Sequence, residues 1–202
     1  IVLSKGAHAA YWKAAEYFDM NIIEIETLDK PLDINALKSH ITVNSTVVIA
    51  SAPSYNFGIV DNIKAITDYC YNNNIYVHVD MCLGGFLVPF LTDIECDFTL
   101  PGLTSISMDT HKYGYGPKGG SVLLYRDKMF LKNHCFVKDD WTGGIYGTSN
   151  LTGSRSGSVV GLTWATMLCV GLVGYEQEAI KIRRLTLKLA NAIKINQYLD
   201  LM

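Results

Sequence analysis

The sequence carries no surplus of either charge: 17 Lys and Arg face 19 Asp and Glu, for a formal net charge of -2. Without a basic excess there is no electrostatic footing for nucleic acid. Cysteine is scarce and unpaired in pattern. Cys70, Cys82, Cys96, Cys135 and Cys169 are odd in number, scattered and free of any C-x-x-C. That argues against a disulfide framework or a zinc site and suits a reducing compartment. The apolar runs fall short of a membrane span and no signal peptide opens the chain, so a soluble chain is expected. There is no P-loop, no G-x-G-x-x-G and no G-x-S-x-G, although residue types alone still permit a Ser–His–Asp arrangement. Repeats and low-complexity tracts are absent. An initial methionine is missing too: Ile1-Val2-Leu3 resembles the end of a strand already under way, and the chain stops within the polar stretch Asn196-Gln197-Tyr198. A fragment truncated at both ends is expected, with any membrane association confined to missing segments.

What is present is a globular composition, 49% apolar and 18% charged over 202 residues, enough for one domain core and a small appendage. Strand-like runs fall at Asn21–Ile25, Thr46–Ala50, Ile75–Asp80, Thr104–Ser107 and Ser121–Tyr125. Thr46–Ala50 is β-branched and apolar without alternation, as in parallel sheets. Helical patterns lie between them: Ala7–Phe18 with a stripe of Tyr11, Trp12 and Ala15, a helix from Ile34 to His40 capped by Asp33, and one capped by Asp61 that runs to Tyr71. Asp127–His134 reads as a short helix, Val159–Cys169 as a buried one apolar almost all round, and Tyr175–Asn196 as an amphipathic one, with Gly171–Gly174 interrupting. Alternating strand and helix indicate an α/β domain with a mostly parallel sheet and flanking helices.

The stretch that organises the chain is Ser107 to Gly120, a glycine-rich loop between two strands. Such loops lie at a sheet edge, where open α/β sheets bind ligands. Lys112 is its residue of interest. Alone, a loop lysine is a solvated cation. Tied as a Schiff base to an aldehyde cofactor, it hands substrate to that cofactor. Asp80 ends a strand, where a carboxylate points into a ligand crevice or caps a turn. His78 shares its face, so a hydrogen bond between the two is expected. His8 is either a cap or packed surface ring, or an aromatic face over a planar ligand. Two polar runs, Trp141–Ser149 and Leu151–Gly157, offer backbone amides to a phosphate or form a long surface connection.

An acid ending one strand and a His-Lys pair after the next, with His8 upstream, resemble the pyridoxal-phosphate enzymes of fold type I, in the group II decarboxylase-like set. Longer motifs narrow the resemblance: His78–Phe86, Asp109–Tyr115, Pro117-Lys118-Gly119, Trp141–Tyr146, Gly153-Ser154-Arg155 and Ser4–Ala10 are similar to sphingosine-1-phosphate lyases. The chain departs from that pattern at Met81 (alanine in the family), Gly116 (alanine), Gly120 (serine) and Ser156 (proline), none of which removes a reactive group.

The resemblance implies a fold type I large domain over residues 1–157, with 158–202 leading into a small C-terminal domain. It implies pyridoxal 5'-phosphate bound through Lys112, Asp80, His8, His111, Thr110, Gly153 and Ser154, with Lys118 on the substrate's phosphate. Lys112 holds the cofactor aldehyde, Asp80 pairs with the pyridine nitrogen and His8 stacks on the ring. The implied reaction cleaves the C2–C3 bond of a phosphorylated sphingoid base, giving a fatty aldehyde and phosphoethanolamine. A homodimer is implied, at the endoplasmic reticulum with its catalytic domain cytosolic. Two alternatives stay open: a pyridoxal-phosphate amino-acid decarboxylase, and an inactive truncated scaffold.

Overall fold

The computed structural model describes residues 1–91 and 93–201. A six-stranded sheet runs in the order β2-β1-β3-β4-β5-β6, from β1 (Val2–Ser4), β2 (Ile23–Ile25), β3 (Val47–Ser51), β4 (Tyr76–Asp80), β5 (Leu103–Met108) and β6 (Val122–Tyr125). The first five are parallel to their neighbours, and β6 turns back antiparallel on β5. Helices α1 (Ala10–Tyr17), α2 (Ile34–His40) and α3 (Ile63–Asn72) alternate with the strands, followed after β6 by α4 (Lys128–His134) and α5 (Gly157–Lys194). This is the mostly parallel α/β architecture expected from the alternation.

The reasons are local. In β3 the run Val48-Ile49-Ala50-Ser51 is buried throughout, because both sheet faces are covered there. In β4 burial alternates: Val77 and Val79 are fully buried, whereas His78 and Asp80 are only partly so. One face of β4 therefore feeds the core and the other carries polar groups. The core joins Val48, Val77, Val79 and Leu103 of the sheet to Ile63, Ile66 and Cys70 of α3. Each such aliphatic side chain removed from water contributes about 1.5–3 kcal/mol. Asp33 caps α2 through the amides of Asn35 and Ala36, and Asp127 caps α4 through Met129. His40, at the end of α2, bonds the Ala36 carbonyl, in keeping with a structural role.

Four expectations are corrected. Asp61 does not cap α3. Asn62 does, through the Ala65 amide. The Asp61 carboxylate is buried and accepts the amides of Leu32 at 2.7 Å and Ser51 at 2.8 Å. Burial pushes its pKa up, against the pull of those two amides.

Residues 159–169 are not buried. Val160, Leu162, Trp164 and Leu168 lie 58–65% exposed on α5. All-round apolarity marks a helix that needs partner surfaces but does not say where they come from. The buried positions of α5 are Tyr175 and Ala179. By length and composition α5 is apolar enough to cross a membrane, against the expectation of no such segment. Gly171, at φ 65° and ψ 169°, breaks its helical path where an interruption was expected. The unbroken stretch before it spans only about 21 Å at 1.5 Å per residue, short of a hydrocarbon core of about 30 Å.

Lastly, the polar run Trp141–Ser149 holds a strand. β8 (Tyr146–Thr148) pairs antiparallel with β7 (Phe136–Lys138). Three-residue strands are too short for an alternation to announce them.

Candidate active site

The site grows from the carboxyl ends of β4 and β5. Their register sets His78 beside Ser105 and Asp80 beside Ser107, so all four side chains share one sheet face. The expected His78–Asp80 bond does not form. His78 Nδ1 lies 2.8 Å from Ser105 Oγ and Nε2 lies 3.1 Å from Ser107 Oγ, so both ring nitrogens are taken by the next strand. Burial lowers the His78 pKa, opposed by the Asp80 charge. Asp80 Oδ1 instead accepts the Cys82 amide at 3.0 Å. The Cys82 thiol, pushed up to about 12 by burial and the Asp80 charge, donates to Ser107 Oγ at 3.4 Å.

α1 covers this array. The Tyr11 ring meets His78 edge-on, 6.0 Å between centroids. It lines one cavity with Asp80 and Ser107, and burial together with the Asp80 charge drives its pKa well above that of an ordinary phenol. His8 is exposed, with Nδ1 accepting the Ala10 amide at 3.2 Å and its ring edge-on to Tyr55. It thus serves the start of α1 while lining, with Asp80 and Tyr11, a cavity of about 600 Å³.

The Lys112 loop is stitched to the Asp80 strand end. Met81 N donates to Ser107 O at 2.9 Å and Asp109 N to Cys82 O at 3.2 Å. Lys112 Nζ is held 3.0 Å from Asp109 Oδ2. Burial raises the Asp109 pKa, but hydrogen bonds from Lys112 and Ser121 and the charges of Lys112 and His111 override it, for a net lowering. His111 Nδ1 donates to the Gly120 carbonyl at 3.1 Å, and the buried Thr110 hydroxyl shares that carbonyl at 3.4 Å. Gly114 permits the tight winding: a Cβ there would stand 2.5 Å from Thr110 O and 2.8 Å from the Phe86 ring. Its carbonyl accepts the Tyr175 hydroxyl of α5 at 2.8 Å. Lys118 is exposed on the outer part of the loop.

Gly153 and Ser154 line a separate cleft of about 260 Å³. It shares Ser149, Asn150 and Arg155 with the walls of the Asp80 cavity. Gly153 sits at φ 78°, where a side chain would be strained. His8 and Asp80 therefore meet in one cavity. Lys112, His111 and Thr110 adjoin it through the loop, Gly153 and Ser154 through a shared wall, and Lys118 stands apart. Tyr11, Ser107 and Arg155 are functional candidates that the sequence reading passed over. Arg155 belongs to the Gly-Ser-Arg motif, while Tyr11 lies in the apolar stripe of α1.

The model of the pyridoxal-dependent decarboxylase conserved domain matches residues 1–201. The chain belongs to the pyridoxal-dependent decarboxylase family. Among curated relatives, the rat sphingosine-1-phosphate lyase 1 is 39% identical over 189 residues, covering 90% of this chain and 33% of that protein. The sphingosine-1-phosphate lyase of Saccharomyces cerevisiae is 37% identical over 204 residues, covering 97% and 35%. The solved sphingosine-1-phosphate lyase of Burkholderia pseudomallei superposes with a TM-score of 0.90 at 37% identity, covering 97% of this chain and 46% of that one. A Lactobacillus brevis glutamate decarboxylase, at 24% identity and TM-score 0.82 over 96% of this chain and 46% of its own, shows the fold alone. The chain spans about a third of the length of these curated relatives.

The fold is that of fold type I enzymes, and pyridoxal 5'-phosphate is the family's cofactor. The donor set of this family member fits it: an acceptor-only carboxylate, an imidazole on the same cavity, and a primary amine on the adjoining loop. The cavity volume also lies in the range of small-ligand sites.

Proposed function

We propose that the chain is part of a pyridoxal-phosphate-dependent aldehyde-lyase. It cleaves the C2–C3 bond of phosphorylated sphingoid bases to a fatty aldehyde and phosphoethanolamine. The observation that carries this is the placement of Asp80 and the Lys112 loop on adjoining strand ends, in a chain 37% identical to a solved lyase at TM-score 0.90.

Lys112, Asp80, His8, His111, Thr110, Gly153 and Ser154 hold the cofactor, and Lys118 takes the substrate's phosphate. When bound, the cofactor supplies an electron sink for the breaking carbon–carbon bond. Asp80 would accept a hydrogen bond from its ring nitrogen and hold the proton there. His8 covers one face of the site. Thr110 and His111 would help to bind the cofactor's phosphate, and Gly153, at φ 78°, would shape a second loop of amide donors to it. Lys112, paired with Asp109 in this structure, would bind the cofactor's aldehyde and move a proton there. Lys118, exposed on the same loop, is free to meet an anionic headgroup.

Residues 1–157 form the cofactor-binding part, and 158–202 lead toward a smaller domain. Assembly as a homodimer is supported by the exposed Val160, Trp164 and Leu168, spaced along one side of α5. The lyase is assigned to the endoplasmic reticulum with its catalytic part in the cytosol, on the strength of the resemblance.

The test begins with pyridoxal phosphate added to the purified chain, followed by visible absorbance, borohydride fixation and peptide mapping. A band whose fixed adduct maps to Lys112 supports the assignment. Label spread over surface lysines counts against it. Phosphorylated sphingoid base and glutamate, offered in parallel to the longer protein, then separate lyase from decarboxylase. Carbon dioxide released from glutamate, with no aldehyde from the lipid, would sink the lyase proposal.

A further inference from the structure

Past Gly171, where the helical path of α5 breaks, one face of the helix is turned to the body of the chain. Tyr175, Ala179 and Arg183 recur every fourth residue and so share that face. Tyr175 is 5% exposed and Ala179 1%, and the Arg183 guanidinium makes a two-point pair with the Asp93 carboxylate at 2.9 and 2.8 Å. The Tyr175 hydroxyl donates to the Gly114 carbonyl at 2.8 Å, a bond that spans 61 residues of sequence. Its ring lies parallel to Tyr115, with 6° between planes and 6.5 Å between centroids, and leans on Phe86 at 5.1 Å. Tyr115 sits at φ 60°, a left-handed backbone that a bulky residue keeps only where its surroundings over-determine it. The same residue closes the turn on Lys112: Tyr115 N donates to Lys112 O at 3.2 Å, and Gly116 N to Thr110 O at 2.8 Å.

Lys112 is therefore moored twice. Its amine is paired with Asp109 at 3.0 Å, and its backbone turn is tied to α5 by a hydroxyl and a stacked ring. We propose that Tyr175 is a positioning residue for Lys112: it holds the turn of residues 112–115, so that the seating of α5 fixes where the amine is presented. What the amine does there rests on the proposed function above; the hold of Tyr175 on the turn does not. Among the described residues none beyond Arg155 lines the Asp80 cavity, so α5 acts on that cavity through the turn. Without the hydroxyl the Gly114 carbonyl loses its donor, and the left-handed Tyr115 backbone is held by stacking alone. The turn then opens more often, the amine samples more positions, and a reaction at the amine slows because fewer of those positions are productive.

The experiment compares Tyr175→Phe, which keeps the ring and loses the hydroxyl, with Cys70→Ala, a change in the core against α3 that lowers stability away from the loop. Tyr115→Ala removes the stacked ring from the loop side, an independent variant should the first fail to fold. Amide hydrogen exchange in the cofactor-free chain is read first. The Gly116 amide is expected to exchange about three- to tenfold faster in Tyr175→Phe, the worth of one hydrogen bond, and faster in Tyr115→Ala as well. In Cys70→Ala it should keep its wild-type rate while the strand amides speed up. Unchanged Gly116 exchange in Tyr175→Phe, or equal acceleration in Cys70→Ala, would overturn the proposal. The second readout is the initial rate at which pyridoxal phosphate, trapped with borohydride, is fixed on Lys112 relative to surface lysines. That ratio should fall in Tyr175→Phe and hold in Cys70→Ala; faster exchange with an unchanged ratio would reduce Tyr175 to packing. If the wild-type chain fixes no pyridoxal phosphate on Lys112, the functional assignment falls, and the exchange rates still decide whether Tyr175 holds the turn.

Discussion

Lys112 is held 3.0 Å from Asp109, so its amine is parked on a carboxylate rather than loose in solvent. Lys112→Ala removes the amine that binds the cofactor in the assignment. It is expected to abolish the Lys112 adduct in the borohydride experiment and to take lyase turnover of the longer protein to background. Asp80→Asn keeps the shape but not the charge. It is expected to lower turnover by about a hundredfold or more, measured as kcat with the phosphorylated sphingoid base. His78 supplies a pH signature. Its folded pKa lies below the unfolded value of about 6.5, because burial penalises the charged ring. Once pH falls below about 6.5 the unfolded state binds the extra proton first, so stability is present at neutral pH and declines as pH falls toward the folded value. Thermal midpoints between pH 7.5 and 5.5 should fall in the wild type, and the decline should be shallower in His78→Gln.

At the scale of elements, two close contacts set the loop and the sheet edge. Gly114→Ala forces a methyl group to within 2.5 Å of Thr110 O. It is expected to destabilise the chain by about 1–3 kcal/mol, read from urea denaturation, and to move the backbone that carries Lys112. Asp61→Ala leaves the amides of Leu32 and Ser51 buried without a partner, at a cost of about 1–3 kcal/mol for each group. These elements also show what sequence makes legible. Asp33 and Asp127 were readable as caps because their partners lie two or three residues ahead. Asp61 was misread as a cap because one of its partners, Leu32, lies 29 residues away in the chain. The strands were readable from β-branched runs, whereas the β7–β8 hairpin was not, being built from three-residue strands in a glycine-rich stretch.

For the molecule as a whole, Asp80, Lys112 and their loop stood out in the sequence because strand ends and glycine-rich turns carry local signals. The Tyr11–Ser107–His78 array did not. It exists only once β5 lies in register with β4 and α1 is seated across both. The same limit explains α5, whose apolarity was visible while the whereabouts of its covering surface were not. If Val160, Trp164 and Leu168 meet a second copy of the protein, Trp164→Glu should shift the longer protein from dimer toward monomer in sedimentation equilibrium. An unchanged dimer would place the contact elsewhere.

The reversal of β6 has an engineering consequence. Because β5 and β6 are antiparallel neighbours, the Lys112 loop leaves from and returns to adjoining strands, and its footprint is two strands wide. The segment from Asp109 to Gly120 is therefore a cassette. Its transplantation would need the same pair of antiparallel ends beside a parallel strand finishing in aspartate, together with the serine that holds Asp109 and the tyrosine hydroxyl that holds Gly114. A scaffold given those supports would acquire a parked lysine.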